Sequence, residues 1–185
     1  MVEKLEKENG AQVEWKPFYL RPDTPEEGME LPAYVRSRMA GTQDRLKQMA
    51  RANGLEMVFP NRIPNTHLAH EATEYARERG RQLEFHRAVF DKFYGKGEDI
   101  SKWDVLGDAA RSAGLDADEM QREVAAGKYT ASVNALAQEA AQSGVSGVPT
   151  YVLNDRYAIV GAQPYEVFQQ ALARLAAESS ESSGK

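Results

Sequence analysis

Gly144-Val145-Ser146-Gly147-Val148-Pro149-Thr150-Tyr151-Val152-Leu153 is the stretch on which the fold of this 185-residue chain turns. Thr150 to Leu153 is a β-branched and apolar run of strand length. Pro149 stands at its start, and a trans proline opening a strand is the ordinary reading of Val148-Pro149 taken alone. Asn154-Asp155 offers a two-residue hairpin turn, weaker than Asn-Gly, and 156–160 predicts the returning strand. Gly161-Ala162-Gln163-Pro164 then leads into a helix. Pro164 suits its first position, where the missing N–H would have had no partner anyway. Tyr165, Phe168, Leu172 and Leu175 follow at helical spacing.

Working outward, residues 2–9 predict a helix. Val2 and Leu5 share a face, Glu3/Lys7 and Lys4/Glu8 are i,i+4 pairs, and Asn9-Gly10 is a stop signal. No Ser, Thr, Asp or Asn caps its start, and so short a helix is marginal alone. It reads like the second half of a longer helix. Ala11 to Leu20 predicts a strand, with Val13 and Trp15 on a buried face and Gln12, Glu14 and Lys16 on a wet one. Pro17 suits an edge position.

From Glu30 to Ser143 the signals are helical. Leu31, Tyr34, Val35 and Met39 form one stripe, and Leu46, Met49 and Ala50 another, closed by Asn53-Gly54. Met57 to Pro64 is an apolar connector. Asn65-Thr66 supplies capping oxygens for a helix through Arg79. Leu83, Val89, Phe90, Phe93 and Tyr94 mark the next, ended by Gly95-Lys96-Gly97. Asp99 or Ser101 could cap a helix carrying Val105, Leu106, Ala109 and Ala110. Ala117 to Ala126 and Tyr129 to Gln142 complete the series. The polar tail 179–185 predicts disorder.

Composition narrows the function classes. The net charge is −5, against a nucleic-acid partner, which wants a basic face. Arg36, Arg38, Arg45, Lys47 and Arg51 read as a solvated helix face. No apolar stretch reaches membrane-spanning length, and no signal peptide is written here. The chain has no cysteine, which excludes disulfides, thiolate nucleophiles and Cys-ligated metal among its own residues.

Other constellations carry less. His67 and His70, with Glu71 and Glu74 nearby, could place metal ligands on one helix face. A zinc site draws a further ligand from elsewhere, however, and no motif supplies one, so no metal is expected. His86 reads as structural. Ser143, Ser146 and Thr150 have no neighbouring histidine or acid that would make a hydrolase triad. Gly144-x-x-Gly147 lacks the Gly-Lys-Ser/Thr ending of a phosphate loop. Trp15 and Trp103 read as core, and Tyr94, Tyr129 and Tyr151 could face a groove.

Four segments taken in order resemble the DsbA-like branch of the thioredoxin superfamily. They are Val13-Glu14-Trp15-Lys16-Pro17-Phe18-Tyr19-Leu20-Arg21-Pro22; Pro25-Glu26-Glu27-Gly28-Met29; Asn65-Thr66-His67-Leu68-Ala69-His70; and Ser146-Gly147-Val148-Pro149-Thr150 with Gly161-Ala162-Gln163-Pro164. The nearest subgroup is the FrnE-type oxidoreductases. The glutathione-dependent 2-hydroxychromene-2-carboxylate isomerases form the related branch.

The resemblance implies an α/β, thioredoxin-like fold with a large helical insertion. Residues 1–25 and 131–178 would form the thioredoxin-like domain, incomplete because its first strand is missing, and 26–130 the insertion. It implies a cis Val148–Pro149 bond, which costs only about 0.5–1 kcal/mol. It also makes Gly147, Val148, Pro149 and Thr150 the substrate-binding residues, because the backbone of Val148 is left open to an extended peptide.

In the family, a Cys-x-x-Cys at a strand-to-helix junction is the catalytic centre, activated by the helix N-terminus. This chain contains none of it, so no catalytic residue is assigned. Three readings stand. The sequence is a fragment or begins at an internal methionine; it is a cysteine-free relative that borrows a strand from another copy; or the resemblance misleads and this is a helical binding module. The first makes it a thiol–disulfide oxidoreductase, inactive as written, with no resident cofactor and an extended polypeptide or thiol as substrate. A glutathione-using isomerase and a non-catalytic peptide-binding protein are the alternatives. The FrnE-like branch implies a cytoplasmic location, with no nucleic-acid or membrane partner.

Overall fold

The computed structural model describes residues 2–182. In chain order the elements are α1 (Val2–Asn9), β1 (Met29–Glu30), α2 (Ala33–Ala52), β2 (Arg62–Ile63), α3 (His67–Glu78), α4 (Gln82–Phe90), a π-helical turn (Asp91–Gly95), α5 (Trp103–Ser112), α6 (Ala117–Ala125), α7 (Thr130–Gln142), β3 (Thr150–Leu153), β4 (Tyr157–Val160) and α8 (Tyr165–Ser182). They fall into two compact units. One comprises residues 1–20 with 136–185 and the other residues 21–135.

The unit of residues 21–135 is helical. Tyr75, Phe85, Leu106 and Met120 are fully buried in its core. Periodicity explains most of it: α5 and α6 each turn one apolar stripe inward and leave a charged face outside, whereas α3 buries Glu71 and Glu74 together with Ala69, Ala72, Tyr75 and Ala76. A polar layer ties the elements together. The Tyr75 hydroxyl donates to Glu119 at 2.8 Å, the Tyr129 hydroxyl donates to Glu78 at 2.9 Å, and Tyr129 also reaches Glu123. The Arg79 guanidinium lies 3.5 Å over the Tyr75 ring. Asp116 caps α6, accepting from the backbone N–H groups of Asp118 and Glu119.

Several expectations need correcting in this unit. The segment before α2 is not helical. Met29 and Glu30 pair antiparallel with Ile63 and Arg62, the latter two inside the apolar connector of residues 57–64, for which no strand was expected. Gly28 allows this approach. Its φ is +73°, and a Cβ there would lie 2.5 Å from the Ile63 carbonyl oxygen. Lys102, not Asp99 or Ser101, is the N-cap of α5, because Asp99 spends its carboxylate on the N–H and hydroxyl of Ser101. Asn65 accepts from the His67 N–H at 2.9 Å and donates to the Thr24 carbonyl at 2.7 Å, so it fastens the start of α3 to the preceding loop. Trp103 is half-buried rather than core, and so is Trp15 in the other unit.

The second unit is smaller in its core, built on Leu5, Ile159 and Phe168 with Tyr151, Leu153, Tyr165 and Leu172 packed around them. β3 and β4 form an antiparallel hairpin with Tyr151 opposite Ile159. Asn154 and Asp155 hold φ of 50° and 54°, and the Arg156 N–H donates to the Leu153 carbonyl at 3.0 Å. That is the primed turn a hairpin needs, although the strand resumes at Tyr157 rather than Arg156.

Ala11 to Leu20 is not a strand. Among the described residues nothing pairs with it, and a strand exists only through its ladder. Val13, expected inside, is 37% exposed, while Pro17 is buried. The helix α8 continues to Ser182, beyond the expected start of a disordered tail at 179. Residues 183–185 of that tail lie outside the described residues.

Candidate functional site

The four residues singled out from the sequence, Gly147, Val148, Pro149 and Thr150, lie between α7 and β3. α7 is closed by Gly144 at φ +82°. The Gly144 N–H donates to the Ala141 carbonyl and the Val145 N–H to that of Ala140, each at 3.1 Å. This double closure is a Schellman stop, and it fixes where the chain leaves the helix. The Val148–Pro149 peptide bond is cis.

Pro149 is then locked into register with the hairpin. Its carbonyl accepts from the Gly161 N–H at 2.8 Å. The Thr150 hydroxyl donates to the Gly147 carbonyl at 2.7 Å and braces the turn. Gln163 donates its amide to the Val160 carbonyl at 3.0 Å and holds the other end of the pair.

The alternation of an antiparallel ladder does the rest. Since Pro149 pairs with Gly161, the hydrogen-bonded partners are Tyr151 with Ile159 and Leu153 with Tyr157. The backbone groups of Thr150 and Val152 therefore point away from β4. No other strand among the described residues lies on that side of β3, and the backbone of Val148 has no hydrogen-bond partner among them. Val148 is 56% exposed and Val152 53% exposed. The site is thus a run of open donors and acceptors at Val148, Thr150 and Val152.

The opposite face of β3 is anchored. Tyr151 packs edge-on against Phe168, ring centroids 4.8 Å apart, and burial pushes its hydroxyl above the ordinary tyrosine range. It does not face a groove. α1 is tied to the start of α8, where the Tyr165 hydroxyl donates to Glu8 at 2.9 Å and Lys4 sits 4.0 Å over the Tyr165 ring. The family resemblance pointed to Val148 beside its proline and not to Val152 or Gln163. Only the ladder register reveals those two.

The histidines lie in the helical unit. His67 places Nε2 3.4 Å from the Pro22 carbonyl oxygen and lines an open cleft of about 730 Å³ with Glu26, Glu27, Asn65, Ser101 and Lys102. Burial, with smaller contributions from His67 and His86, drops the His70 imidazole to about 4. No group of three His, Cys, Asp or Glu side chains among the described residues could hold a metal ion. No helix among them is long and apolar enough to cross a membrane.

A hairpin braced by a helix, an open strand edge beside a cis-proline, and a long helical segment inside the same chain together define a thioredoxin-like protein of the DsbA kind. Residues 1–173 match the DSBA-like thioredoxin domain family, and the chain belongs to that family. It is 30% identical over 173 residues to the uncharacterized protein YwbO of Bacillus subtilis (strain 168), covering 92% of this chain and 85% of the relative. Among solved structures it is similar to a probable DsbA oxidoreductase from Streptomyces coelicolor, with a TM-score of 0.78 and 30% identity over 87% of this chain and 74% of that one. A 2-hydroxychromene-2-carboxylate isomerase shares the fold, with a TM-score of 0.78 at 17% identity over 97% of this chain and 89% of that one.

Proposed function

We propose that this chain is the substrate-holding part of a DsbA/FrnE-type thiol–disulfide oxidoreductase, that the open backbone of Val148, in the turn Gly147 to Thr150, binds an extended polypeptide as an added strand, and that the edge at Thr150 and Val152 faces the place of the family's missing first strand. The observation that carries the reading is the geometry of that turn. Its outward N–H and C=O groups are rigidly placed by the Pro149–Gly161 hydrogen bond, and an extended backbone can satisfy them. Main-chain pairing of this kind is indifferent to side-chain sequence, which suits an enzyme that acts on many chains.

The redox step needs a thiolate that attacks a substrate sulfur, forms the mixed disulfide and expels the other sulfur as a thiolate. None of the 185 residues is a cysteine, so the attacking sulfur belongs to residues outside this sequence, and the chain alone is inactive in this step. The similarity to a probable DsbA oxidoreductase at 30% identity supports this class. The same lack of cysteine favours a second reading, in which glutathione brings the thiol and the reaction is an isomerisation. The open backbone of Val148 fits its short peptide backbone as well as a longer chain. A cytoplasmic location goes with the FrnE-type reading.

Thiol titration of the natural full-length protein, alongside insulin reduction, separates them. Two reactive thiols with reductase activity support the oxidoreductase. No thiols together with glutathione-dependent turnover support the isomerase. No thiols and no turnover leave a peptide-binding protein. Activity of the cysteine-free chain above background would refute the proposal outright.

A further inference from the structure

The helix α2 does not behave as a core helix. Of its twenty residues only Ala50 is buried. Four of its apolar side chains nevertheless fall on one line with Thr42, while Tyr34, 69% exposed, lies off it. Val35, Met39, Thr42, Leu46 and Met49 recur at alternating intervals of four and three, which is the a/d seam of a coiled coil. Met39, Leu46 and Met49 are all exposed, Met49 by 53%.

Charge is arranged around that seam. α2 carries Arg36, Arg38, Arg45, Lys47 and Arg51 against Asp44 alone, five cations less one anion, or +4. The whole chain is −5. One flank of the seam is engaged by the unit itself. Arg36 donates to the Leu31 carbonyl at 2.7 Å, Lys47 lies 5.9 Å over the Phe59 ring, and Ala50 is buried. The other flank is open. Arg38 and Arg45 immediately precede Met39 and Leu46, occupy the g positions of the heptad, and make no ion pair among the described residues.

We propose that this seam docks an acidic amphipathic helix of a partner protein. Apolar anchors of that helix would cover Met39, Leu46 and Met49, and its carboxylates would meet Arg38 and Arg45. Methionines suit such a surface because their unbranched side chains adapt to the partner.

A second copy of α2 is a poor occupant. Antiparallel pairing sets Arg38 and Arg45 against arginines, and parallel pairing sets them against Gln43 and Ala50, so neither arrangement supplies an acid. A lipid surface is also a poor fit. Interfacial helices present a broad apolar face with Trp, Phe or Leu, whereas this seam is narrow, contains Thr42 and lacks Trp and Phe.

The test is fluorescence anisotropy of the intact chain with a labelled synthetic peptide of three heptads, Leu at a and d and Glu at e and g. Saturable binding is expected, weakened about tenfold or more by the double variant R38E/R45E and by high salt. D44N, on the opposite face, should leave binding unchanged. A peptide with Lys in place of Glu should not bind, and this arm uses the unaltered chain, so the outcome does not depend on how the double variant folds. No binding of the Glu peptide, or equal binding of the Lys peptide, overturns the proposal. So does co-sedimentation with phosphatidylserine vesicles in place of peptide binding, or a dimer that R38E dissociates.

Discussion

The two units of this chain use their backbones differently. In the helical unit of residues 21–135, side chains make long-range connections through the buried Tyr75, Phe85, Leu106 and Met120 and through the hydroxyls of Tyr75 and Tyr129 on Glu119 and Glu78, beside one two-residue backbone ladder between β1 and β2. The other unit has three buried residues at the centre of its core cluster and leaves both outer edges of a two-stranded sheet without a strand partner among the described residues, that of β3 beside the cis-proline. Packing economy and open backbone go together there. Strand edges with free donors and acceptors invite a further strand, and a domain whose task is to hold extended chains benefits from that invitation.

Core truncations should sharpen the contrast most. Phe85→Ala and Phe168→Ala should each cost about 3–5 kcal/mol in their own unit. Hydrogen exchange should show Phe85→Ala loosening α3 to α6 first and Phe168→Ala loosening α1, β3, β4 and α8 first. Loss of all protection at once in both variants would break the distinction.

Acid should come next and fall on the helical unit, which holds all three histidines of the sequence. Burial drops the His70 pKa from 6.5 to about 4. Between those values the unfolded chain takes up a proton that the folded chain refuses, so stability falls as pH drops through this window and levels off below it. Burial also lowers the pKa of His86, in the same direction. Denaturant melts from pH 7 to pH 4 should show the decline, and His70→Gln should flatten it.

Gly28→Ala should cost roughly 2 kcal/mol, because a left-handed φ and the Ile63 carbonyl both oppose a Cβ. Gly54→Ala, at the same φ of +73° but in open space, should cost roughly 1 kcal/mol. Equal effects in thermal melts would mean that the β1–β2 contact contributes nothing. Asp116→Ala should cost as little as Gly54→Ala, about 1 kcal/mol for the lost α6 cap, read by the same melts.

What the sequence reveals follows how local each determinant is. The hairpin at Thr150 to Val160 was legible because Pro149, Asn154 and Asp155 act on their neighbours, as does Gly144 in stopping α7. The Ala11–Leu20 segment carries a good alternating pattern and still forms no strand, since pattern supplies a face and not a partner. β1 and β2 are two residues each and pair across a long stretch of sequence, Met29 with Ile63 and Glu30 with Arg62, so no local signal announces them. The π-helical turn at Asp91–Gly95 runs through Asp91, Lys92, Phe93 and Tyr94, which an α-helix also accepts. At the site, the family resemblance pointed to Val148 beside its proline, but the outward aim of Thr150 and Val152 depends on the Pro149–Gly161 bond, which no spacing in the sequence encodes.

The most direct measurement is a nuclear magnetic resonance titration of the isotope-labelled chain with a reduced, carboxymethylated unfolded polypeptide, which offers extended backbone and no free thiol. The edge-pairing account predicts a shifted and exchange-protected amide at Val148. It also predicts weaker binding in Val148→Pro, which removes that outward N–H and leaves the β4 ladder intact. An unperturbed Val148 amide, or undiminished binding by Val148→Pro, would contradict it.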